Sequence, residues 1–299
     1  MSEPPFAGAA RQANLGDACV AVVGLGLMGG SLAGALKMRR ACRRVVGVAR
    51  RRSTLDEAQR RGWIDAGATN LAAGVADADL VILATPPRVI IAQLDELGPA
   101  APAGCVVMDL GSVKSAIVQA MERLPAGVYP LGGHPMCGKE QAGLEAADPL
   151  LFEGRRFVLT PLERTPASTL ALGRALALAI GAQPLVLDAE THDRMVAWVS
   201  HLPHLAALAL VRAVMVGARR DPQVWSLAAS GFRDTSRLAA SDLTMLLDIF
   251  IANREPVLAT LQTFQSELTR LGAALEREDE PALRQLLDEA ITQRREVCG

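Results

Sequence analysis

Ala18-Cys19-Val20-Ala21-Val22-Val23-Gly24-Leu25-Gly26-Leu27-Met28-Gly29-Gly30-Ser31 is the stretch whose reading decides the fold. Residues 18–23 form an unbroken apolar run that stops at glycine, as a buried parallel strand does. Gly24, Gly26 and Gly29 then give a GxGxxG spacing, and residues 30–38 continue as a helix candidate. The first glycine makes a tight turn and the second lets a pyrophosphate approach the backbone. The third lets helix and strand pack closely, with the helix N-terminus facing the anion. GxGxxG alone is weak, and the strand before it and helix after it carry the reading. A ligand-free strand–turn–helix is the competing interpretation.

Working outward, residues 45–48, 80–84 and 106–110 repeat the apolar-run pattern, and 157–159 and 185–187 read as later strands. Helix candidates alternate with them at 53–61, 87–97, 115–124 and 168–180. Such alternation predicts a parallel sheet with helices on both faces. Beyond residue 188 long Leu/Ala/Arg stretches take over, and 189–217, 241–275 and 280–297 read as helices. The predicted fold is therefore α/β: a Rossmann-type dinucleotide-binding domain over 17–188, then an all-helical substrate and dimerisation domain over 189–299. Residues 1–16 read as a disordered tail. Long helices with wide apolar stripes pair between subunits, so a homodimer through the helical half is expected.

The chain has 299 residues, of which 50% are hydrophobic and 21% charged, as in a folded protein of about two domains. A net charge of −1 gives no electrostatic case for nucleic acid or an anionic membrane. Five cysteines without a CxxC pair argue against a disulfide framework and for a reducing, cytoplasmic setting. Charges interrupt the apolar stretches within about 18 residues, which predicts no bilayer span.

An NAD-specific site of this kind usually places Asp or Glu at the end of the second strand, on the ribose 2′-hydroxyl. Here that place is Ala49, followed by Arg50, Arg51, Arg52 and Ser53. Guanidinium groups suit a phosphate and an acid repels one, so NADP is expected over NAD. A solvated basic turn is the alternative. The expected cofactor contacts are Gly24, Gly26, Leu27, Met28 and Gly29 in the loop, Arg50, Arg51 and Ser53 beyond the second strand, and Thr85 and Pro86 beyond the third.

Asp109-Leu110-Gly111-Ser112-Val113-Lys114 follows the fourth strand, where ligands gather in such sheets. Further on comes Leu131-Gly132-Gly133-His134-Pro135-Met136-Cys137-Gly138-Lys139-Glu140, with the only histidine before residue 192. The flanking glycines imply a bent backbone. With an ordinary pKa of about 6.5, His134 suits general-base work beside a nicotinamide, which points to dehydrogenation. A structural histidine is the bland alternative. Lys139 is expected to lower the pKa of Cys137.

These segments make the chain resemble the prephenate/arogenate dehydrogenase (TyrA) family. The resemblance runs through 24–31, 109–114, 132–140, Leu151-Phe152-Glu153-Gly154, His192-Asp193, Ser200-His201-Leu202-Pro203-His204 and Gly231-Phe232-Arg233-Asp234-Thr235-Ser236-Arg237. It implies oxidative decarboxylation of prephenate or arogenate. His134 would accept the proton of the ring hydroxyl, Ser112 would bond that hydroxyl and His134, and Arg237 would hold a substrate carboxylate. Ser200, His201 and His204 would lie near the substrate. No metal is implied, because the cofactor is the electron sink. Where the family often has a Trp packing near the partner subunit's site, this chain has Leu246.

His201 and His204 are three apart and would share a helix face, but Pro203 lies between them and no Glu stands at ligand spacing. His192 reads as a polar first-turn residue. A β-hydroxyacid dehydrogenase is the rival enzyme, and it would need a lysine in the helical half, where this chain has none after Lys139. A non-catalytic NADP-binding sensor would need the glycine loop but not Ser112, His134 and Arg237 together.

Overall fold

The computed structural model describes residues 14–139 and 141–298. One eight-stranded sheet runs in the order β3-β2-β1-β4-β5-β6-β7-β8. Its strands are β1 (Cys19–Val23), β2 (Arg44–Val48), β3 (Ala66–Ala68), β4 (Leu80–Leu83), β5 (Val106–Asp109), β6 (Tyr129–Pro135), β7 (Arg156–Thr160) and β8 (Gln183–Val186). Helices α1 (Leu27–Met38), α2 (Arg52–Arg60), α3 (Leu71–Val75), α4 (Pro87–Leu97), α5 (Ser115–Met121) and α6 (Ala167–Ala179) connect them.

Strand alternation divides the core into two layers. Val20, Val22, Leu80, Ile82 and Met108 point to one face, while Ala21, Val23, Val81, Leu83 and Val107 point to the other. All are essentially inaccessible, which is why these strands read as unbroken apolar runs. Each large side chain so buried contributes about 1.5–3 kcal/mol.

The sheet is mixed, which corrects the all-parallel expectation: β7 runs antiparallel to β6, pairing His134 with Val158 and Gly133 with Leu159. A parallel return needs a crossover element, and the described residues between β6 and β7 contain no helix. His134 thus lies on a strand rather than on a bent loop. Gly132 and Gly133 serve close approach. A Cβ on Gly132 would come within 1.9 Å of Thr160 Oγ1, and one on Gly133 within 2.6 Å of the Asp109 carbonyl oxygen.

Leu15–Asp17 forms a 3-10 turn capped by Asn14, with Leu15 buried, so the last part of the expected tail is ordered. The rest of that tail lies outside the described residues.

The helical half comprises α7 (Ala189–Val196), α8 (Leu202–Ala218), α9 (Ser230–Ser236), α10 (Leu243–Ala252), α11 (Arg254–Glu276) and α12 (Glu280–Cys298). A π turn over Ala197–His201 joins α7 to α8, with the Leu202 N–H bonding the Ala197 carbonyl. The wide turn absorbs Pro203, which has no N–H to give. The single helix expected over 241–275 breaks at Asn253, whose side chain is drawn into tertiary bonds. Contrary to the sequence expectation, the continuous helical run Ala189–Ala218 is long and apolar enough to cross a membrane by length and composition. It contains buried His192, Asp193 and His201, and its exposed apolar residues include Met195, Trp198, Val199, Met215 and Val216. Leu227, Leu243, Leu247, Ile251 and Leu258 extend that apolar surface across the helical half. Exposed apolar side chains gathered in one half of the molecule fit a surface that pairs with another. The two halves meet where α10 lies against α4, with Arg88 Nε bonded to Asp248 Oδ1 at 3.0 Å.

Candidate active site

The strand order reverses between β1 and β4, and their C-terminal ends open a crevice. A groove of about 1160 Å³ occupies it. Gly24 and Gly26 line it after β1, Ala49, Arg50, Arg51 and Ser53 after β2, and Thr85 and Pro86 after β4. Gly24 has φ 96° and donates its N–H to the Val48 carbonyl at 2.8 Å, so here a turn requires glycine. A Cβ on Gly26 would meet nothing within 4 Å, and Gly26 caps α1 without any side chain covering its first N–H groups. That open, donor-rich turn fits a dinucleotide pyrophosphate.

Leu27, Met28 and Gly29 form the first turn of α1. Gly29 packs against the loop, since a Cβ there would lie 1.9 Å from the Gly24 carbonyl oxygen. Arg50 and Arg51 are exposed, and among the described residues neither pairs with a carboxylate. Arg60 and Arg61 also line the groove and were not singled out from the sequence. Both engage Glu57, and these contacts hold its carboxyl below the usual range.

His134 lies half-buried near the end of β6. Its Nδ1 is 2.8 Å from His192 Nε2, and His192 Nδ1 is 2.8 Å from Asp193 Oδ1. Asp193 in turn accepts the N–H of Lys114 at 2.7 Å and of Ser115 at 2.8 Å. His192 is fully buried, so it is no solvated first-turn residue. The His192-Asp193 doublet was the available sequence signal, although 58 residues separate His192 from His134. Burial, then His192, Lys114 and His201, push the His134 pKa well below 6.5. His134 is therefore neutral at pH 7 and able to accept a proton.

Beneath it, Lys114 and Asp109 form a fully buried ion pair. Lys114 Nζ also donates to the Gly133 carbonyl at 2.7 Å, and Asp109 Oδ1 accepts the Gly133 N–H at 3.0 Å. The pair thus grips both polar groups of the residue before His134. Ser112 sits half-buried on the same β5–α5 loop, two residues before Lys114.

His201 points inward from the π turn, its Nδ1 accepting from Asn253 Nδ2 at 3.1 Å. Asn253 also donates to the Asp193 carbonyl at 2.8 Å. His201 Nε2 is buried with no acceptor among the described residues. His204 is half-exposed and donates Nδ1–H to the Ser200 carbonyl at 2.8 Å. Arg237 opens an exposed 3-10 turn packed on α8. Leu246 is buried on α10. Cys137 corrects another expectation: burial pushes its thiol up to about 11, and Lys139 pairs with Asp148 instead.

Burial pulls the His201 pKa down to about 4, with His192 and His204 adding to the shift and Asp193 opposing it. Unfolded chains take up this proton near pH 6.5, whereas the native state refuses it until about pH 4. Stability is therefore full above pH 6.5 and falls as pH drops, by about 1.4 kcal/mol per pH unit for one such group. Urea unfolding from pH 7.5 to 4.5 should show that decline, and His201→Gln should flatten it. An unchanged slope in His201→Gln would refute the assignment.

Residues 32–186 match the family profile described as prephenate dehydrogenase, nucleotide-binding domain. Residues 188–289 match prephenate dehydrogenase, dimerization domain. The prephenate dehydrogenase of Bacillus subtilis is 32% identical over 262 residues, 87% of this chain and 71% of the relative. The solved prephenate dehydrogenase from A. aeolicus, in complex with hydroxyphenyl propionate and NAD+, has a TM-score of 0.87 at 33% identity. That match covers 93% of this chain and 98% of the other. Synechocystis arogenate dehydrogenase superimposes with a TM-score of 0.79 at 32% identity, covering 93% and 99%.

Proposed function

The chain belongs to the prephenate dehydrogenase family, an oxidoreductase acting on prephenate or arogenate, and from that premise we propose an NADP-dependent homodimer in which His134 is the general base. The observation that carries the reading is His134 itself: neutral, half-buried, near the C-terminal end of a strand parallel to those that open the groove, with one ring nitrogen committed to His192. Its other nitrogen is left to take the ring-hydroxyl proton. A bound nicotinamide supplies the hydride acceptor. Ser112 bonds the same hydroxyl. Arg237 clamps a carboxylate, as a bidentate guanidinium does well. Buried His201 Nε2–H has a proton to give a substrate oxygen, and His204 and Ser200 line the approach.

The test is direct. Protein, NADP and either prephenate or arogenate are mixed, and absorbance near 340 nm is followed. Reduction with at least one substrate is expected, and none with either overturns the reading.

The cofactor preference rests on Ala49 standing where an acid grips the 2′-hydroxyl, with uncommitted Arg50 and Arg51 lining the groove next to it. Arg50→Ala with Arg51→Ala should raise KM for NADP roughly 10-fold or more, the worth of one or two charge-assisted contacts, and leave KM for NAD nearly unchanged. A lower wild-type KM for NAD than for NADP would sink this preference. The dimer rests on the apolar surface of the helical half, and a sedimentation mass of one chain would refute it.

A further inference from the structure

The contacts behind His134 form a chain with a direction. Asp193 is nearly buried, and burial pushes its carboxyl pKa up. Hydrogen bonds from His192, Ser115 and Lys114 outweigh that and hold it below the usual range. Asp193 is therefore an anion, which only accepts. His192 Nδ1 must carry a proton to meet it at 2.8 Å. A 2.8 Å contact between two ring nitrogens holds a single proton, so the His134–His192 contact has two forms. In one the proton is on His134 Nδ1, which leaves His134 Nε2 bare. In the other it has moved to His192 Nε2, where the imidazolium lies against the Asp193 carboxylate.

We infer that His192 and Asp193 are relay and positioning residues which hold the substrate's hydroxyl proton while CO2 is lost and then return it. This rests on the proposed function. As the ring O–H bond breaks, an N–H bond forms at His134 Nε2. The His134 Nδ1–H bond breaks in turn, and a bond forms at His192 Nε2. The hydride leaves the hydroxyl-bearing carbon for the nicotinamide, and that carbon becomes a carbonyl. The bond to the ring carboxylate then breaks, and its electron pair aromatises the ring and converts the carbonyl to a phenolate. The proton travels back through His134 to the phenolate oxygen. Overall no proton is gained or lost, and the nicotinamide is the sole oxidant.

The surroundings explain why the proton should not stay on His134. That ring is faced by His192 from α7, by His201 from the π turn and by Lys114 from the loop before α5. All three are basic groups that disfavour a second charge there. His192 instead touches a carboxylate, Asp193, which two backbone N–H groups and Asn253 hold in place. A general base flanked by basic groups can work only if its charge has somewhere to go, and the relay supplies that place.

The experiment compares the full-length wild type with His192→Gln and His192→Phe. Gln retains a polar partner for His134 Nδ1 but cannot carry a proton, and Phe removes both functions. Both should lose kcat by roughly 100-fold while KM for substrate and cofactor stays within about 3-fold. The acid limb of kcat against pH should move to higher pH, because the basic ring that depresses His134 is gone. Should His192→Phe fail to fold, His192→Gln decides alone, with Tm confirming that it is native. Variants whose kcat lies within about 3-fold of wild type, or whose acid limb is unmoved, overturn the relay. So does a loss in which KM and Tm deteriorate together, the mark of a purely structural role. An inactive wild type overturns the functional reading and the relay with it, whereas active variants beside an active wild type overturn the relay alone.

Discussion

His134→Ala should lower kcat by about 10²–10⁴-fold, the range supplied by a positioned general base, with KM for substrate and the nicotinamide cofactor little changed. The ring is half-buried near a strand end, so its loss should leave the sheet intact. The proton transfer proposed for it exists only in the transition state, and removing such an interaction lowers kcat and kcat/KM together. The pH profile gives a second check with a definite sign. A base works when unprotonated, and the folded His134 titrates well below 6.5 because burial, His192, Lys114 and His201 all disfavour the cation. The wild-type plateau should therefore extend below pH 6.5 before activity falls. A variant that raised KM and preserved kcat would show that His134 binds substrate rather than moving a proton.

Much of this architecture is written in local sequence. The strand, the glycine spacing and the helix at 18–38 are contiguous, and each signal is short-range. β1 and β4 are covered on both faces, so their residues are apolar without interruption, and β5 is apolar up to Asp109. β6 is opaque for a physical reason. Tyr129-Pro130-Leu131-Gly132-Gly133-His134-Pro135 holds two glycines and two prolines, the composition of a turn. Those glycines answer to Thr160 and Asp109, residues far away in sequence that crowd the strand. β3, Ala66-Gly67-Ala68, is a short edge strand of small side chains and carries no apolar signal.

The site divides in the same way. Gly24, Gly26, Arg50, Arg51, Ser53, Thr85 and Pro86 come together because each follows a strand whose C-terminal end faces the crevice. His192 could not be matched to His134 by periodicity or spacing, because their contact joins β6 to a helix of the other half. The break at Asn253 is similar. Nothing in residues 243–276 forbids one helix, but the Asn253 side chain bonds the Asp193 carbonyl and His201, and the chain yields there. Tertiary polar bonds outweigh helix propensity when a buried group would otherwise go unpaired.

Lys114→Met should be the most destabilising single substitution, by about 3–5 kcal/mol, because it leaves the Asp109 carboxylate buried without its cation. Both side chains are inaccessible to water. Burial pulls the Lys114 pKa below its usual value, and the charge and hydrogen bond of Asp109 oppose that shift. Met fills similar volume, which isolates the charge from the packing. The Gly133 carbonyl also loses its 2.7 Å partner. On a chain of this size the loss corresponds to a fall in Tm on the order of 10 °C. Activity should fall further than stability explains, since Gly133 positions His134 and a displacement of about 1 Å can cost 10²-fold. Pairing the change with Asp109→Asn removes the uncompensated anion while an amide oxygen still accepts the Gly133 N–H. The double variant should therefore be more stable than Lys114→Met alone, although Asn cannot replace the grip on the Gly133 carbonyl and kcat should stay low. Calorimetry and kcat on the two variants separate the effects. A single variant within about 1 kcal/mol of wild type would mean that the buried pair contributes no more than an exposed one.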